Sequence, residues 1–477
     1  MSKSKAQDRD PAEDLSPEME REVFLEASRR AVEYLAQIRE RCVFPTPDAL
    51  LSMDLLGGPV PDAPRNPLQV LDLLDRVGSA ATVANAGGRY FGFVCGGALP
   101  AARAANVLAA AWDQNVGLRV LSPVGAFLEE ISLAWLIDIL GLPPTCAGTI
   151  VTGATAANLT GLAAARHQIL WDAGRDVEAL GMFGARPIPV YVGEQAHTSV
   201  LKALALLGFG RKRVIILPTD NQGRILVSKL PRIAEPSIVC IQAGDVNTGA
   251  FDNAREICSW AQESGSWVHV DGAFGMWAAA SPERAHLTAG FANADSWALD
   301  GHKWLNVPYD CGLAFVRSPE SLRSAMSVEA SYLQLGKGRE PVQWSPDMSH
   351  RARGVEIWAA IQSLGRSGIT EMIERSCQHA ARFAAELAAA GYAVLNDVVL
   401  NQVLVSFGSD TETEQCVKAI QEDGTCWCSS TRWRGQFAMR ISVCSWATTE
   451  EDVAISIAAI MRTVEQCKKL QRRGEMS

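Results

Sequence analysis

Short apolar runs alternate with longer amphipathic segments through the middle of the chain. The runs lie at residues 150–151, 190–192, 214–217, 238–242, 267–270, 296–299 and 313–316. They are too uniformly apolar for a sheet with one solvent-exposed face, so they predict buried and mainly parallel strands. The segments between them have helical periodicity, and strands that alternate with helices indicate a doubly wound α/β sheet.

The two ends of the chain have a different pattern. Helical periodicity dominates residues 16–41, 66–84 and 100–142. After residue 354 the pattern predicts a helix through residue 363, a helix at 369–390, short strands at 403–407 and 437–443, and a last helix at 449–470. We therefore expect an N-terminal tail and helical segment at 1–90, a large domain at 91–365 and a small α+β domain at 366–477.

The composition is that of an ordinary globular protein. Of 477 residues, 48% are hydrophobic and 20% are charged, which allows a sizeable core. The formal net charge of −9 argues against a nucleic acid partner, because phosphate backbones select basic surfaces. The sequence contains neither an apolar stretch of membrane-spanning length nor a visible targeting segment, so we expect a cytoplasmic protein without membrane contact.

The 12 cysteines are scattered without the paired spacing of a disulfide framework, so reduced thiols are expected. Cys426 and Cys428 could form half of a metal site. No second pair of cysteines or histidines at ligand spacing lies near them in the sequence, and we therefore predict no bound metal.

Two of the apolar runs end near residues whose side chains can act together. The run at 267–270 leads to Asp271, and the run at 296–299 is followed by Lys303. Parallel strands bring such side chains to the carboxyl edge of the sheet, where open α/β folds bind ligands. An amine at that edge can form a Schiff base with an aldehyde, and a carboxylate can keep a pyridine nitrogen protonated. The pair therefore predicts a site for pyridoxal 5'-phosphate.

Two further segments could complete such a site. Gly153, Ala154 and Thr155 follow a strand and begin an alanine-rich helix, whose free amides suit a phosphate group. A tight turn with a helix cap fits the same residues equally well. His197 follows the run at 190–192 and could stack on an aromatic ring. A lone loop histidine is more often structural, but its place in the same series of strand ends favours the ligand role.

Several segments resemble, in order, the group II pyridoxal-phosphate-dependent decarboxylases, the family of aromatic amino acid and glutamate decarboxylases. The resemblance covers nearly the whole chain from about residue 41. It implies the aspartate-aminotransferase-like fold, which is fold type I of these enzymes, and a homodimer in which the N-terminal helical segment packs on the partner. The motifs are Tyr90-Phe91-Gly92-Phe93, Ala196-His197, Thr248-Gly249-Ala250-Phe251-Asp252, His302-Lys303-Trp304, Pro308-Tyr309-Asp310-Cys311-Gly312 and Arg351-Ala352-Arg353.

The resemblance also implies a role for each candidate residue. Lys303 would form the Schiff base, Asp271 would pair with the pyridinium nitrogen, and His197 would stack on the ring. The substrate would be an L-amino acid, which could be aromatic, and the products its amine and carbon dioxide. The remaining implied contacts are Ala273 on the other face of the ring, Gly153, Ala154 and Thr155 on the phosphate, and His302 on the cofactor or the substrate carboxylate.

Three features of the sequence depart from the family pattern. Asp245-Val246 replaces a Thr-Thr pair, and Asp300 stands where an asparagine often meets the phosphate. A second anion there would repel the phosphate unless it turns away or is protonated. The stretch at 335–344 looks shorter than the family's mobile loop and lacks its proton-returning tyrosine, and Tyr332 aligns better with a structural position. An aldehyde synthase or a carbon-carbon lyase is therefore an alternative, and a non-catalytic relative is a lesser one.

Some side chains have two interpretations that the sequence leaves open. Aromatic residues near the expected site could line a pocket for an aromatic substrate or pack in the core. Two arginines could meet an acidic substrate or form ion pairs with the protein. These residues are Tyr90, Phe91, Phe93, Trp304, Arg351 and Arg353.

Overall fold

The computed structural model describes residues 16–328, 336 and 338–472. Residues 1–15, 329–335, 337 and 473–477 lie outside the described residues, and these include Tyr332 and part of the stretch at 335–344. The helices are α1 (Pro17–Ala36), α2 (Pro47–Ser52), α3 (Pro67–Leu73), α4 (Pro100–Trp112), α5 (Pro123–Ile139), α6 (Ala154–Asp172), α7 (Val177–Leu180), α8 (Thr198–Leu206), α9 (Ala254–Gln262), α10 (Pro319–Met326), α11 (Arg353–Ala389), α12 (Asp410–Asp423) and α13 (Glu450–Arg472). The strands are β1 (Tyr90–Phe91), β2 (Ala147–Val151), β3 (Val190–Gly193), β4 (Ile215–Leu217), β5 (Ile238–Gln242), β6 (Trp267–Asp271), β7 (Ser296–Asp300), β8 (Gly312–Val316), β9 (Ala393–Val394), β10 (Gln402–Ser406), β11 (Trp427–Trp433) and β12 (Gln436–Ser442).

The predicted runs form one seven-stranded sheet in the order β2-β8-β7-β6-β5-β3-β4. Strands β3 to β7 pair in parallel, and β8 alone runs antiparallel, between β2 and β7. The prediction of a mainly parallel sheet is confirmed. Because side chains alternate across a strand, Val239 and Ile241 pack in one core and Ile238 and Cys240 in another. The sheet thus separates two hydrophobic cores, which explains why its strands are mainly apolar on both faces.

A second sheet near the C-terminus has five strands in the order β1-β11-β12-β10-β9. The predicted strands β10 and β12 are at its centre, and α13 lies where the last helix was expected. The sequence analysis missed β1, β9, β11 and α12. Strand β11 contains the polar stretch Ser429, Ser430, Thr431 and Arg432, so its pairing with β12 leaves no apolar signature in the sequence.

Two of the predicted helical segments are wrong as continuous helices. The segment at 100–142 contains α4 and α5, because α4 ends at Trp112 and the next residue, Asp113, has a left-handed φ of 47°. Helix α5 then begins afresh at Pro123, and the Ser122 side chain accepts a hydrogen bond from the Gly125 amide at 3.2 Å. In the segment at 66–84, α3 ends at Leu73 and short turns of π and 3-10 helix follow it.

Helix α11 spans both of the helices predicted between 354 and 390. Gly365 interrupts it with a φ of 59° and a ψ of −176°, so the helix changes direction there. The two predicted helices are therefore its two halves. Among the helices of the described residues, none is long and apolar enough to cross a lipid bilayer.

Candidate active site

A cavity of about 400 Å³ opens at the carboxyl edge of the large sheet. Its volume is within the range of small-molecule binding sites. The ends of β2, β3, β5, β6 and β7 and the first turn of α6 supply its walls. All the candidate site residues from the sequence line this one cavity: Gly153, Ala154, Thr155, His197, Asp271, Ala273, His302 and Lys303.

Asp271 ends β6 and is buried. Its Oδ1 accepts a hydrogen bond from the Ala273 amide at 3.3 Å. Its Oδ2 lies 3.4 Å from Ser199 Oγ and 3.4 Å from Asn158 Nδ2. Since all three partners are donors, the pocket suits a carboxylate that faces the cavity.

A buried relay behind Asp271 fixes the orientation of the Asn158 amide. Asn158 Oδ1 lies 2.8 Å from His269 Nε2, and His269 Nδ1 lies 2.7 Å from Ser296 Oγ. Burial lowers the pKa of His269 to about 3, so the imidazole is neutral. When the neutral ring donates from Nε2, the Asn158 amide oxygen faces His269 and accepts this hydrogen bond. The Asn158 Nδ2 group then points toward Asp271.

The sequence pattern did not predict this relay, although two residue spacings are consistent with it. His269 precedes Asp271 by two positions on a strand, so both side chains lie on the same face of the sheet. Asn158 follows Ala154 by four positions in α6 and therefore lies one turn along the same helix face. Neither spacing alone distinguishes a relay from ordinary packing.

His197 caps the start of α8 through its own side chain. Its Nδ1 accepts a hydrogen bond from the Ser199 amide at 3.3 Å and lies 2.7 Å from Ser199 Oγ. The His197 amide donates to Gln242 Oε1 at 3.3 Å. Because Nδ1 accepts from a backbone amide, a neutral ring carries its proton on Nε2. Ser199 therefore contacts both His197 and Asp271.

Lys303 follows β7 in a turn, and its amine lies 3.0 Å from Asp300 Oδ2. The lysine side chain is 19% exposed, so a ligand in the cavity can reach it. Its Nζ also lies 6.0 Å from the centre of the Phe274 ring. His302 is turned by a hydrogen bond from the Cys311 amide to its Nδ1 at 3.1 Å, and it stacks on Tyr309 with ring centres 4.3 Å apart. Burial lowers the pKa of His302.

The residue before α6 supplies no side chain to the first amides of the helix. Gly153 precedes the helix and offers no capping side chain. Gly312 in β8 packs directly against it, since a Cβ at Gly312 would lie 2.4 Å from the Cα of Gly153. A side chain at position 312 would push the turn out of place.

Asp245 lies behind the cavity wall, whereas its neighbours Gly244 and Val246 line the cavity. Its Oδ1 accepts from the amides of Asn247 at 2.8 Å and Thr248 at 2.9 Å. Burial raises the pKa of Asp245. The aspartate thus holds the turn after β5.

The ambiguous side chains separate into two groups. Phe91 and Trp304 are fully buried and belong to the core, whereas Phe93 is 60% exposed. Tyr90 and Phe93 stack on Trp427 with ring centres 5.2 Å and 5.7 Å apart.

The two arginines form ion pairs within the protein. Arg353 Nε lies 2.9 Å from Asp310 Oδ1, and Arg351 pairs with the buried Glu356. These contacts favour the protein ion-pair interpretation over a role in binding an acidic substrate.

The residues around the cavity fit pyridoxal phosphate in chemical type. Lys303 supplies a reachable primary amine, and Asp271 supplies a buried carboxylate. A fixed imidazole at His197 and the open N-terminus of α6 complete the set of groups. One contact differs from the expectation, because Asp300 Oδ1 already accepts a hydrogen bond from the Ala154 amide at 2.6 Å.

This fold and this site define a pyridoxal-phosphate-dependent enzyme of fold type I. The pyridoxal-dependent decarboxylase conserved domain matches residues 90–408, which is more than half of the chain. The chain therefore belongs to the pyridoxal-dependent decarboxylase family, whose members are lyases. The family, the cofactor and the fold class predicted from the sequence are confirmed.

Individual relatives indicate the range of chemistry in this family. The aromatic-L-amino-acid decarboxylase of Bacillus atrophaeus is 25% identical over 95% of this chain and 97% of its own length. The 4-hydroxyphenylacetaldehyde synthase of Rhodiola rosea is 28% identical over 56% of this chain and 57% of its own. The structure of Oryza sativa TDC with PLP and tryptamine matches with a TM-score of 0.88 at 22% identity, covering 96% of this chain and 99% of that one. At this identity, the similarity to the Oryza sativa structure shows only that the two chains share a fold.

Proposed function

We propose that this enzyme decarboxylates an L-amino acid with an aromatic side chain to its amine and carbon dioxide. One observation carries the proposal: Lys303, Asp271 and His197 line a single cavity at the carboxyl edge of a parallel sheet. An amine, a buried carboxylate and a flat imidazole are the groups that pyridoxal phosphate chemistry requires from a protein.

Each of these residues would have a separate task. Pyridoxal phosphate, when bound, supplies an aldehyde that takes the substrate amine and a ring that withdraws electrons from the substrate Cα. Lys303 would bind the aldehyde between turnovers. Asp271 would hold a proton on the ring nitrogen, because an opposite charge favours the charged ring. His197 and Ala273 would fix the plane of the ring, and His302 would contact the cofactor or the substrate carboxylate.

The same proposal assigns the phosphate to the start of α6. Gly153, Ala154 and Thr155 would bind it through backbone amides, where the helix dipole favours an anion. The absence of a capping side chain at Gly153 supports this assignment.

The preference for an aromatic substrate is supported by the relatives. Proteins that match along most of the chain are named as aromatic-L-amino-acid decarboxylases. Tyr90, Phe93 and Trp427 stack on one another but are not among the residues that line the cavity, so the proposal does not rest on them.

Aldehyde formation is the second candidate. Two kinds of aldehyde synthase are among the relatives, at 27% to 30% identity over about half of the chain. The stretch at 335–344 contains no tyrosine that could return a proton to the substrate carbon. If that proton is not delivered after carbon dioxide has left, oxygen can take two electrons from the substrate carbon and become hydrogen peroxide. One water then releases ammonia, so the products are carbon dioxide, an aldehyde, ammonia and hydrogen peroxide.

Borohydride reduction followed by peptide mapping tests the proposed lysine. We expect the reduced cofactor on Lys303, and no adduct at that position in Lys303→Ala. Lys418→Ala is a matched control, since that lysine is 77% exposed and lies on α12 of the small sheet domain. An adduct on any other lysine would contradict the proposal.

Product analysis separates the two candidate reactions. The enzyme is supplied with each common L-amino acid, and carbon dioxide, amine, aldehyde and peroxide are measured together. Amine in a one-to-one ratio with carbon dioxide supports decarboxylation. Aldehyde and peroxide in equal amounts would instead show that the enzyme forms an aldehyde, which is the second candidate reaction.

We also propose that the active enzyme is a homodimer, with residues 1–90 packed on the partner, a large cofactor-binding domain at 91–365 and a small domain at 366–477. Large hydrophobic side chains are unusually exposed in the N-terminal segment, which supports an interface there. Light scattering at micromolar concentration should give twice the chain mass, and a monomer would contradict the proposal. The exposed side chains are Phe24, Leu25, Val32, Phe44, Leu51, Met53, Leu55, Leu56, Val60, Val70 and Leu74.

A further inference from the structure

Asp300, the last residue of β7, places its carboxylate between the start of α6 and Lys303. Its Oδ1 accepts a hydrogen bond from the Ala154 amide at 2.6 Å, and its Oδ2 lies 3.0 Å from Lys303 Nζ. Oδ1 also lies 3.6 Å from His302 Nε2. The side chain is only 4% exposed, so this carboxylate is held within the cavity wall and not in bulk water.

These contacts make Asp300 the cap of a helix that has no local one. The residue before α6 is Gly153, which has no side chain to satisfy the first amides. A carboxylate at this place is stabilised both by the amide and by the positive end of the helix dipole. The chain has thus placed an anion of its own at a typical anion-binding position.

A phosphorylated aldehyde needs the same two positions. Its phosphate carries close to two negative charges at neutral pH and suits the start of α6, and its aldehyde must reach Lys303. A carboxylate and a phosphate that share one amide repel each other, and partial burial strengthens that repulsion. Asp300 and the phosphate therefore compete for the start of α6.

We propose that Asp300 is a resident anion that competes with the cofactor phosphate, and that it limits how much the phosphate contributes to cofactor affinity. The inference rests on the proposed function, because it assumes that the phosphate binds at the start of α6. It concerns the affinity for the cofactor and leaves the reaction itself unchanged.

Two simpler roles for Asp300 predict different behaviour. If it only capped α6, its loss would lower stability and would weaken all ligands alike. If it only held the Lys303 amine as an ammonium ion, its loss would favour every aldehyde alike. Of the three roles, only competition with the phosphate predicts that losing Asp300 changes the affinity for pyridoxal phosphate more than the affinity for pyridoxal. Pyridoxal has the same aldehyde and ring but no phosphate.

The experiment compares those two aldehydes on the full-length protein freed of cofactor. Dissociation constants for pyridoxal phosphate and pyridoxal are measured by absorbance and tryptophan fluorescence for the wild type and Asp300→Asn. The asparagine keeps the shape and retains an oxygen for the Ala154 amide. We expect the preference for pyridoxal phosphate over pyridoxal to rise at least tenfold in the variant, which corresponds to about 1.4 kcal/mol.

Two further variants make the result specific. Asp295→Asn removes a partly buried carboxylate just before β7, at the opposite end of that strand, and should leave the preference within twofold of the wild type. Asp300→Ser removes the charge with a smaller side chain and should raise the preference as Asp300→Asn does, so the test survives if one variant fails to fold.

The possible outcomes are distinct. An unchanged or reduced preference in Asp300→Asn or Asp300→Ser, with normal binding of both aldehydes, would overturn this inference alone. A wild-type protein that binds neither aldehyde would overturn the proposed function together with it.

Discussion

Asn306 joins the turn that carries Lys303 to two other parts of the chain. It is fully buried, and its φ of 53° is left-handed, a conformation that asparagine tolerates. Its Nδ2 donates to the carbonyls of Trp304 at 2.9 Å and Cys444 at 3.1 Å. Its Oδ1 accepts from the amides of Gly97 and Trp446, each at 2.9 Å. We expect Asn306→Asp to destabilise the folded protein strongly.

The size of the loss follows from the contacts. Aspartate can still accept from both amides, but it presents an oxygen where Nδ2 donates, and the two carbonyls lose their partner. A buried polar group without a partner costs about 1 to 3 kcal/mol, so the loss should reach at least about 2 kcal/mol. Burial among carbonyls also disfavours the ionised carboxyl and raises its pKa.

That last effect gives the variant a characteristic pH dependence. A group whose pKa is higher in the folded than in the unfolded protein binds more protons when folded, so its stability falls as the pH rises. A protonated aspartate can also donate one of the missing hydrogen bonds. The free energy of unfolding should therefore differ from the wild type by more at pH 8 than at pH 5.

Urea unfolding, followed by tryptophan fluorescence and circular dichroism, measures both effects. Asn293→Asp introduces the same change at an exposed position and should stay within about 0.5 kcal/mol of the wild type. A loss below about 1 kcal/mol in Asn306→Asp at pH 8, or an equal loss at both pH values, would show that these hydrogen bonds do not hold the turn.

Three further outcomes are expected. Asp271→Asn should lower turnover by about two to four orders of magnitude while the Lys303 adduct still forms, since it removes one charge from the site; full turnover would exclude the proposed role. Burial lowers the pKa of His269 from 6.5 to about 3, so between these pH values only the unfolded chain binds a proton there, and the free energy of unfolding should fall by about 1.4 kcal/mol for each pH unit of acidification. In His269→Gln, the pH dependence of the urea midpoint should lack this contribution, and a pH dependence identical to the wild type would contradict the expectation. Burial raises the pKa of Cys258 to about 12, so iodoacetamide at pH 8 should label the exposed Cys42 long before it, as mass spectrometry can check; equal rates would contradict this burial.

The sequence predicted the large sheet and the side chains at its carboxyl edge well, for a physical reason. A buried parallel strand must be apolar on both faces, so a polar residue at its end, such as Asp271, is conspicuous. The roles of the predicted site residues stay predictions, although the structure brings these residues into one cavity. In the small sheet the sequence pattern showed only β10 and β12, because polar positions in β11 hide that strand.

The contacts between polar groups within the site could not be predicted from the sequence. The direction in which Asp300 points depends on the distance between β7 and α6, which no local pattern encodes. The relay from His269 through Asn158 likewise depends on how closely α6 packs on the sheet; a Cβ at Gly161 would lie 2.9 Å from the His269 ring. Such contacts arise from tertiary packing, and only a three-dimensional structure reveals them.

The close contact between Gly312 and Gly153 also bears on the entropy of ligand capture. With β8 pressed against the turn before α6, the backbone there has almost no alternative conformations to lose. An anion that docks on those amides meets a preorganised cradle and spends little binding energy on ordering the loop, although it still has to compete with Asp300 for the Ala154 amide. The antiparallel strand, which breaks the regularity of the sheet, thus limits the conformations open to that cradle.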